Sequence, residues 1–482
     1  MSAFKKNKWQ SFLLIIAFLF LVLSLYYNQL NYYFFQDDWF HLKISNPQNL
    51  RDFLNFFLFR TDIIAWRPIS KQLFFFVIIN FFKLNSYVSH LTILIFHFAN
   101  AILIYKIIKK ISGSVPGAFT TAFLYSSAVF HFTALAWISA GEYTIGTFFY
   151  LLASLTALLF FETKEYKFFL SSLVAFILCL ASTELAVSWP FFIIFLNIIL
   201  ERKKNSSEVL KLLFPVGITI VVYFIMRLIL FRAPLSGNYA VAVNIQIIKN
   251  YFWYILWLFN VPESFKNFIS ISNLSFSKEP TFYKITAKFI LKILIPVCVF
   301  VVTVIYLFFS TINKKNLIIF ISSFAFLFVG LLPVLIFQNH AFSHYLLIPS
   351  LGVYIWIGLM LAKKFPKKHF SKQGMVLIFV MITSWYFSSY FSLAYTEIAH
   401  WIPGEQAVSR QVSEKVAKEL VNVPRNSQIT INSRGEIAQH ALMDQDGLQI
   451  LLNDSSIKTI YTYDNLHHDR AYFLYISLLP GK

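Results

Sequence analysis

The stretch from Gln10 to His41, QSFLLIIAFLFLVLSLYYNQLNYYFFQDDWFH, carries the two readings that decide this chain. Its first part, Gln10–Tyr27, has the length and apolar character of a membrane span, which needs about 20 such residues. Lys5, Lys6 and Lys8 precede it and no small-residue cleavage site follows, so it reads as a retained span, not a removed signal peptide. Its last part sets two adjacent carboxylates, Asp37 and Asp38, among aromatics just beyond the span.

Working outward, further apolar runs fall at roughly 88–108, 115–135, 143–161, 168–183, 185–200, 209–231, 287–309, 316–337, 345–362 and 374–395. With the first, that makes about 11 transmembrane helices. Composition agrees. The 482 residues are 58% hydrophobic and only 13% charged, and 57 of them are Phe. So few polar side chains could not cover a water-facing surface without large apolar patches. Disorder, a collagen-like fibre and a disulfide-stapled secreted module are excluded as well. Cys179 and Cys298 both lie inside apolar runs and read as small core hydrophobes.

A net charge of +19 in a soluble protein would suggest nucleic acid. Here the cations sit between spans, where they report topology, and no nucleic-acid partner is expected. With the N-terminus cytoplasmic, alternation puts Lys106/Lys109/Lys110, Lys164/Lys167, Arg202/Lys203/Lys204, Lys314/Lys315 and Lys363/Lys364/Lys367/Lys368/Lys372 inside. The outer connections 136–142, 182–184 and 338–344 contain no Lys or Arg. That bias is the positive-inside rule, and it predicts a multi-pass plasma-membrane protein.

One apolar stretch, Ile69–Phe82, is too short and comes too soon to span without breaking the alternation. It reads as a helix lying on the outer face, together with the amphipathic Leu50–Phe59. Residues 28–87 thus form a structured outer loop of a transmembrane domain covering 1–395. A second outer segment runs over about 232–286, with an aromatic, interfacial Tyr251–Phe259 where a span stays open. After Tyr395 the composition changes, and from Thr396 on there are eight Lys+Arg against ten Asp+Glu. Val408, Val412, Val416 and Leu420 predict an amphipathic helix, Gln428–Ile431 and Ile457–Tyr463 strands, Asp446–Leu452 a helix, and Ala471–Ser477 a third strand. Residues 396–482 therefore read as a small extracytoplasmic α/β domain.

The chemistry-bearing residues gather on that outer side. Asp37 and Asp38 fit an N-terminal cap of a surface helix starting near Trp39; they equally fit a general base or cation ligand where a membrane-bound substrate presents its head group. Arg67, next to Trp66 and Pro68, and Lys71 fit interfacial snorkelling or a grip on phosphate oxygens. His131, Glu142, Glu184, Asn339, His340 and His344 all fall at outer span ends, where acids are rare and mark function or helix-helix hydrogen bonds. His90 and His97 share one face of the second run, and His97 reads as a core histidine. No zinc-type ligand spacing, Gly-rich phosphate loop, nucleophile elbow or cysteine pair is present, and the role of a metal stays unassigned. Sequons stand at Asn273 and Asn453.

A first span, an outer loop with an acidic pair, then Arg-Pro heading an interfacial helix: this order resembles the GT-C class of membrane glycosyltransferases, in its protein O-mannosyltransferase-like branch. His97 with Asn100 resembles that branch's His-x-x-Asn stretch, Phe130–Glu142 its outer Trp-containing loop, Ser182-Thr183-Glu184 its Lys-Glu turn, and Tyr345–Gly352 its Tyr-x-Pro-Ser-x-Gly segment. The similarity covers about residues 10–360. Thr183 stands where the branch often has Lys, and His344 where an Arg commonly precedes the Tyr.

The resemblance implies a GT-C-like α-helical polytopic membrane protein that transfers a sugar from a polyprenyl-phosphate carrier to a protein, lipid or glycan acceptor, as in protein glycosylation by mannosyltransferase-like enzymes. It implies Asp37 as the base, Asp38 positioning acceptor or carrier, and Arg67, Lys71, His131, Glu142, Glu184, His340 and His344 around the substrates. A divalent cation (Mg or Mn) would be an optional cofactor. A lipid-linked sugar flippase and a surface-polysaccharide polymerase or ligase are the alternatives. A transporter would place its ionisable groups near the midplane, often in repeated halves, and neither is visible.

Overall fold

The computed structural model describes residues 16–59, 65–200, 206–230, 240–241, 243–270, 275–276, 280–337, 339–365, 372–420, 423–433, 435–463 and 475–479. Lys5, Lys6, Lys8, the start of the first run, Arg202, Lys203, Lys204, Lys367, Lys368, Asn273 and the stretch 471–474 lie outside the described residues.

An apolar helix α1 (Ile16–Asn31) leads into two short ones, α2 (Asp37–Ile44) and α3 (Leu50–Leu54). A π-helical turn at Ile69–Leu73 opens α4 (Phe74–Phe82). Then come α5 (Ser86–Ser112), α6 (Val115–Ser126), α7 (Phe132–Ala136), α8 (Glu142–Thr163), α9 (Tyr166–Leu180), α10 (Trp189–Leu200) and α11 (Ser206–Leu230). The helical part closes with α12 (Gln246–Leu258), the tiny pair β1 (Ile269–Ser270) and β2 (Ser275–Phe276), α13 (Pro280–Thr311), α14 (Lys314–Leu335), α15 (Leu351–Lys364) and α16 (Lys372–Ala399).

Local chemistry sets the ends. Asn85 accepts from the Val88 amide at 3.2 Å to start α5, and Gly113 at φ +64° ends it behind Lys109 and Lys110. Ser114 caps α6 by accepting from Gly117 N at 3.3 Å. Between α6 and α15 the backbones touch. A Cβ on Gly358 would stand 1.8 Å from Thr121 Oγ1 and 2.9 Å from Gly117 O, so only glycine permits this crossing.

The described helices do not reproduce the expected number of spans exactly. Among the described residues six helices are long and apolar enough to cross a membrane, or seven when the pair Val115–Ser126 and Val129–Ala136, bent by 50°, is taken as one. Helices α9, α10 and α15 have 15, 12 and 14 residues. At 1.5 Å per residue they reach roughly 18–23 Å, short of a core about 30 Å thick. Apolar runs continue through turns that the helices do not. The run 345–362, for example, opens as a 3-10 turn at Ser343–Leu346 and becomes α-helix only at Leu351. Another correction concerns Cys298, which is exposed on α13 beside exposed Leu291, Ile295 and Val302, whereas Cys179 is buried as expected.

The tail is α/β, as its alternation predicts: α17 (Trp401–Glu419), β3 (Gln428–Ser433), α18 (Ile437–Ala441), α19 (Asp446–Leu451), β4 (Lys458–Tyr463) and β5 (Tyr475–Leu479). The sheet order is β4-β3-β5, with β4 parallel and β5 antiparallel to β3. Ile429 and Ile431 of β3 are buried, as are Val408, Val412 and Val416 of α17. Only His400 separates α16 from α17; its side chain accepts from Ile402 N at 3.4 Å to cap the second helix.

Candidate functional site

The acidic pair opens α2, with the helix beginning at Asp37 and not near Trp39. Gln36, at φ +49°, is the residue before it, and no side chain caps the end. Both acids therefore sit in the first turn, where the helix dipole favours negative charge. Successive helical residues point about 100° apart, and these two part company. Asp38 is fully buried; Oδ1 accepts from both Ser139 N and Ser139 Oγ at 2.7 Å, and Oδ2 from Phe35 N at 3.1 Å. Burial outweighs those donors and pushes its pKa up to about 7. Asp37 is half-buried and accepts no hydrogen bond among the described residues. Its pKa is raised, first by burial and then by Glu142, against the pull of Lys71 and Arg67.

The tail holds α2 from behind. Gln36 N donates to Ala441 O at 2.9 Å, Gln36 Nε2 to Glu405 Oε2 at 2.6 Å, Trp39 Nε1 to Ser409 Oγ at 3.1 Å, and Lys43 pairs with Asp446 at 2.6 Å. None of these couplings is visible in sequence.

In front of α2 lies a chain of alternating charges. Lys71 Nζ donates to Ser139 O at 2.7 Å and stands 3.3 Å from Glu142 Oε2. Glu142 Oε1 accepts from Arg67 Nη1. Arg67 gives Nε and Nη2 to Glu184 Oε2 at 2.9 and 2.6 Å, and Glu184 Oε1 lies 3.3 Å from Arg227. The order is thus Lys71, Glu142, Arg67, Glu184, Arg227. Ser139 ties this chain to Asp38, since its N–H and hydroxyl serve the acid while its carbonyl serves Lys71. The π-turn carrying Lys71 is held in turn by Ile69 N on Ala181 O at 3.1 Å and Ser70 Oγ on Ser182 O at 2.8 Å. A Cβ on Gly146 would fall 2.4 Å from Thr183 Cγ2, so glycine there lets the Glu184 turn lie against α8.

A second cluster adjoins. Glu263 Oε2 accepts from Ser343 N at 2.8 Å, and Oε1 lies 3.4 Å from His400 Nε2. His344 packs at a tilt against Tyr143, 4.7 Å between ring centres, and Arg67 lies 5.7 Å over that same Tyr143 ring. Burial pushes His344 down to about 3; for His340, burial together with Arg67 and Lys266 pushes it down to about 4. Both imidazoles are therefore neutral near pH 7, hydrogen-bonding groups without charge.

Of the residues picked out in the sequence, Asp37, Asp38, Arg67, Lys71, Glu142 and Glu184 converge, with His340 and His344 at the rim. His131 does not join them. Its Nε2 meets Tyr125 O at 2.8 Å and its ring lies 4.5 Å from that of His97, inside the helical core. His97 Nε2 and His90 Nδ1 likewise meet backbone carbonyls, of Ser126 and Leu135, at 2.8 Å. Missed by sequence reasoning were Arg227, hidden in the run 209–231, and Glu263 with His400. A lone Arg in an apolar run was the available signal for the first; the Glu263–His400 pair, 137 residues apart, left none. Among the described residues no three His, Cys, Asp or Glu side chains group to hold a metal ion, and the carboxylates here are met by Arg and Lys.

No family model matches the sequence, and no curated protein matches it. Among solved structures, the chain is similar to ArnT from Cupriavidus metallidurans, whose crystal structure is bound to undecaprenyl phosphate. Identity is 11% and the TM-score 0.46, with 92% of this chain and 85% of that one covered.

Proposed function

We propose that this protein is a GT-C-type membrane glycosyltransferase that moves a sugar from a polyprenyl-phosphate-linked donor to an acceptor hydroxyl on the extracytoplasmic face. Asp37 is its general base. The N-terminus is cytoplasmic, residues 1–395 form the transmembrane domain, and residues 396–482 lie outside. Within the class, the protein O-mannosyltransferase-like motifs favour that branch.

The observation that carries the reading is the contrast between the two acids. Asp38 spends both oxygens on holding α2, whereas Asp37, beside it, keeps its carboxylate uncommitted among the described residues and half-open. An alcohol is a weak nucleophile until its proton leaves, and a carboxylate with a raised pKa is a better acceptor of that proton. The acceptor oxygen then attacks the anomeric carbon as its proton passes to Asp37. The bond from that carbon to the phosphate oxygen breaks, and the electron pair stays on the phosphate. Lys71 and Arg67, both near enough to Asp37 to pull its pKa down, and Arg227 at the end of the charge chain supply positive charge for the phosphate leaving group. Because Glu142 and Glu184 already engage Arg67, the donor phosphate joins an existing ionic chain and shares the guanidinium with it.

The test is Asp37→Asn, which keeps size and loses basicity. With polyprenyl-phosphate sugar as donor, turnover should fall roughly a hundred- to ten-thousand-fold while donor binding persists. Wild-type turnover in that variant, at equal folded amount, would sink the assignment.

A further inference from the structure

Away from the acid pair, the tail carries a cleft of about 480 Å³, a size typical of small-molecule sites. It lies where β4 meets the turn between α18 and α19. Thr459, Tyr461 and Tyr463 alternate along β4 and share one face, and all three line it, with Gln439, Asp444 and Asp446 opposite. The two phenol hydroxyls fix the rings: Tyr461 donates to Asp444 O and Tyr463 to Gln439 Oε1. Gln439 Nε2 donates to Asp444 Oδ1 at 2.7 Å. Thr459 Oγ1, shielded from solvent, has no partner among the described residues.

That lining selects a chemistry. Among the described residues no Lys or Arg lines the cleft, and two carboxylates do, so an anionic ligand is disfavoured. The carboxylates are already compensated: Asp446 is paired with Lys43 at 2.6 Å, and Asp444 accepts the Gln439 amide. Little uncompensated negative charge is left for a cation. What remains is fixed aromatic rings beside amide, hydroxyl and carboxylate groups. Rings suit the C–H face of a pyranose, and the oxygens and amides suit its hydroxyls.

We propose that this cleft binds a neutral saccharide unit, and that this unit belongs to the acceptor. The acceptor role rests on the glycosyltransferase reading; the binding does not. The placement supports the role, because the same loop grips the helix of the acid pair. Ala441 O takes the Gln36 amide, and Asp446 takes Lys43, six residues along α2 from Asp37. Six residues of helix span about 9 Å. A glycan seated in the cleft thus has its end within reach of the base.

The test uses the full chain in detergent micelles, with maltotetraose, mannotetraose, chitotetraose and trilysine as probes in saturation-transfer NMR. At least one saccharide should bind, and Tyr463→Ala should weaken it tenfold or more. Asp444→Asn, which preserves shape, should weaken it at least threefold and settles the matter if Tyr463→Ala misfolds. Asp37→Asn should bind it as wild type does. Binding of trilysine alone, of no saccharide, or of a saccharide insensitive to both cleft variants overturns the proposal. Saccharide binding in a protein that transfers no sugar would leave the cleft standing and remove the glycosyltransferase reading.

Discussion

Replacing Arg67 by Ala separates two roles that the charge chain superimposes. The guanidinium makes three hydrogen bonds, one to Glu142 and two to Glu184. The side chains are little exposed, at 19% for Arg67, 3% for Glu142 and 16% for Glu184. Removing one partner of a buried ion pair costs about 3–5 kcal/mol, because the charges left behind stay desolvated. Lys71 and Arg227 remain 3.3 Å from the stranded carboxylates, so the low end applies, about 3 kcal/mol. That is roughly a 150-fold change in the folding equilibrium. Denaturant titration in micelles reads it directly. Arg67→Lys should recover part, since it restores charge without the fork. The triple variant Arg67→Ala, Glu142→Gln, Glu184→Gln should regain only part of the stability, because the stranded carboxylates are gone but buried Lys71 and half-buried Arg227 lose these acidic partners. It should still bind donor roughly ten- to a hundredfold more weakly, the worth of a charge-assisted bond. An Arg67→Ala protein with wild-type stability and wild-type donor KM would refute the reasoning at both levels.

Three further outcomes are measurable. As the proposed base, Asp37 must be ionised to accept a proton, and its pKa is raised by burial, so kcat/KM should climb with pH through a midpoint above the ordinary aspartate value of 3.8. Lys71 lowers that pKa, so Lys71→Met should move the acid limb to higher pH, and a limb moving down would contradict it. For orientation, cysteines placed at exposed Lys109 and Ser455 in a cysteine-free background should differ toward an impermeant thiol reagent on intact cells. Labelling at Ser455 only is expected; labelling at Lys109 would invert the proposed topology.

Much of this was written in local pattern. Periodicity carried α17 and β3, because one buried face at a fixed spacing is a property of the segment itself; β4 alternates in sequence too, yet none of its residues is buried. The acid pair drew notice because two carboxylates among aromatics are costly without a reason. What local pattern could not carry was pairing. That Asp38 would turn to Ser139, 101 residues on, and Asp37 would not, depends on where α2 docks. Arg67 fitted interfacial snorkelling or a phosphate grip; the acids it pairs with are 75 and 117 residues away. Span number was not read exactly for a related reason: hydropathy measures the solvent a segment prefers, and says nothing of whether its backbone stays helical through about 30 Å.

The single residue between α16 and α17 makes the tail a lever. Helix α17 has 19 residues, about 28 Å of rod, and follows α16 across the single extended residue His400. A tilt of α16 by about 10° would carry the far end of that rod roughly 5 Å. Because Glu405 and Ser409 of the rod hold Gln36 and Trp39, the acid pair would ride on the same swing. Residue 395 thus divides the chain in composition but not in contacts: the segment that follows α16 is also the one that grips the helix of the acid pair.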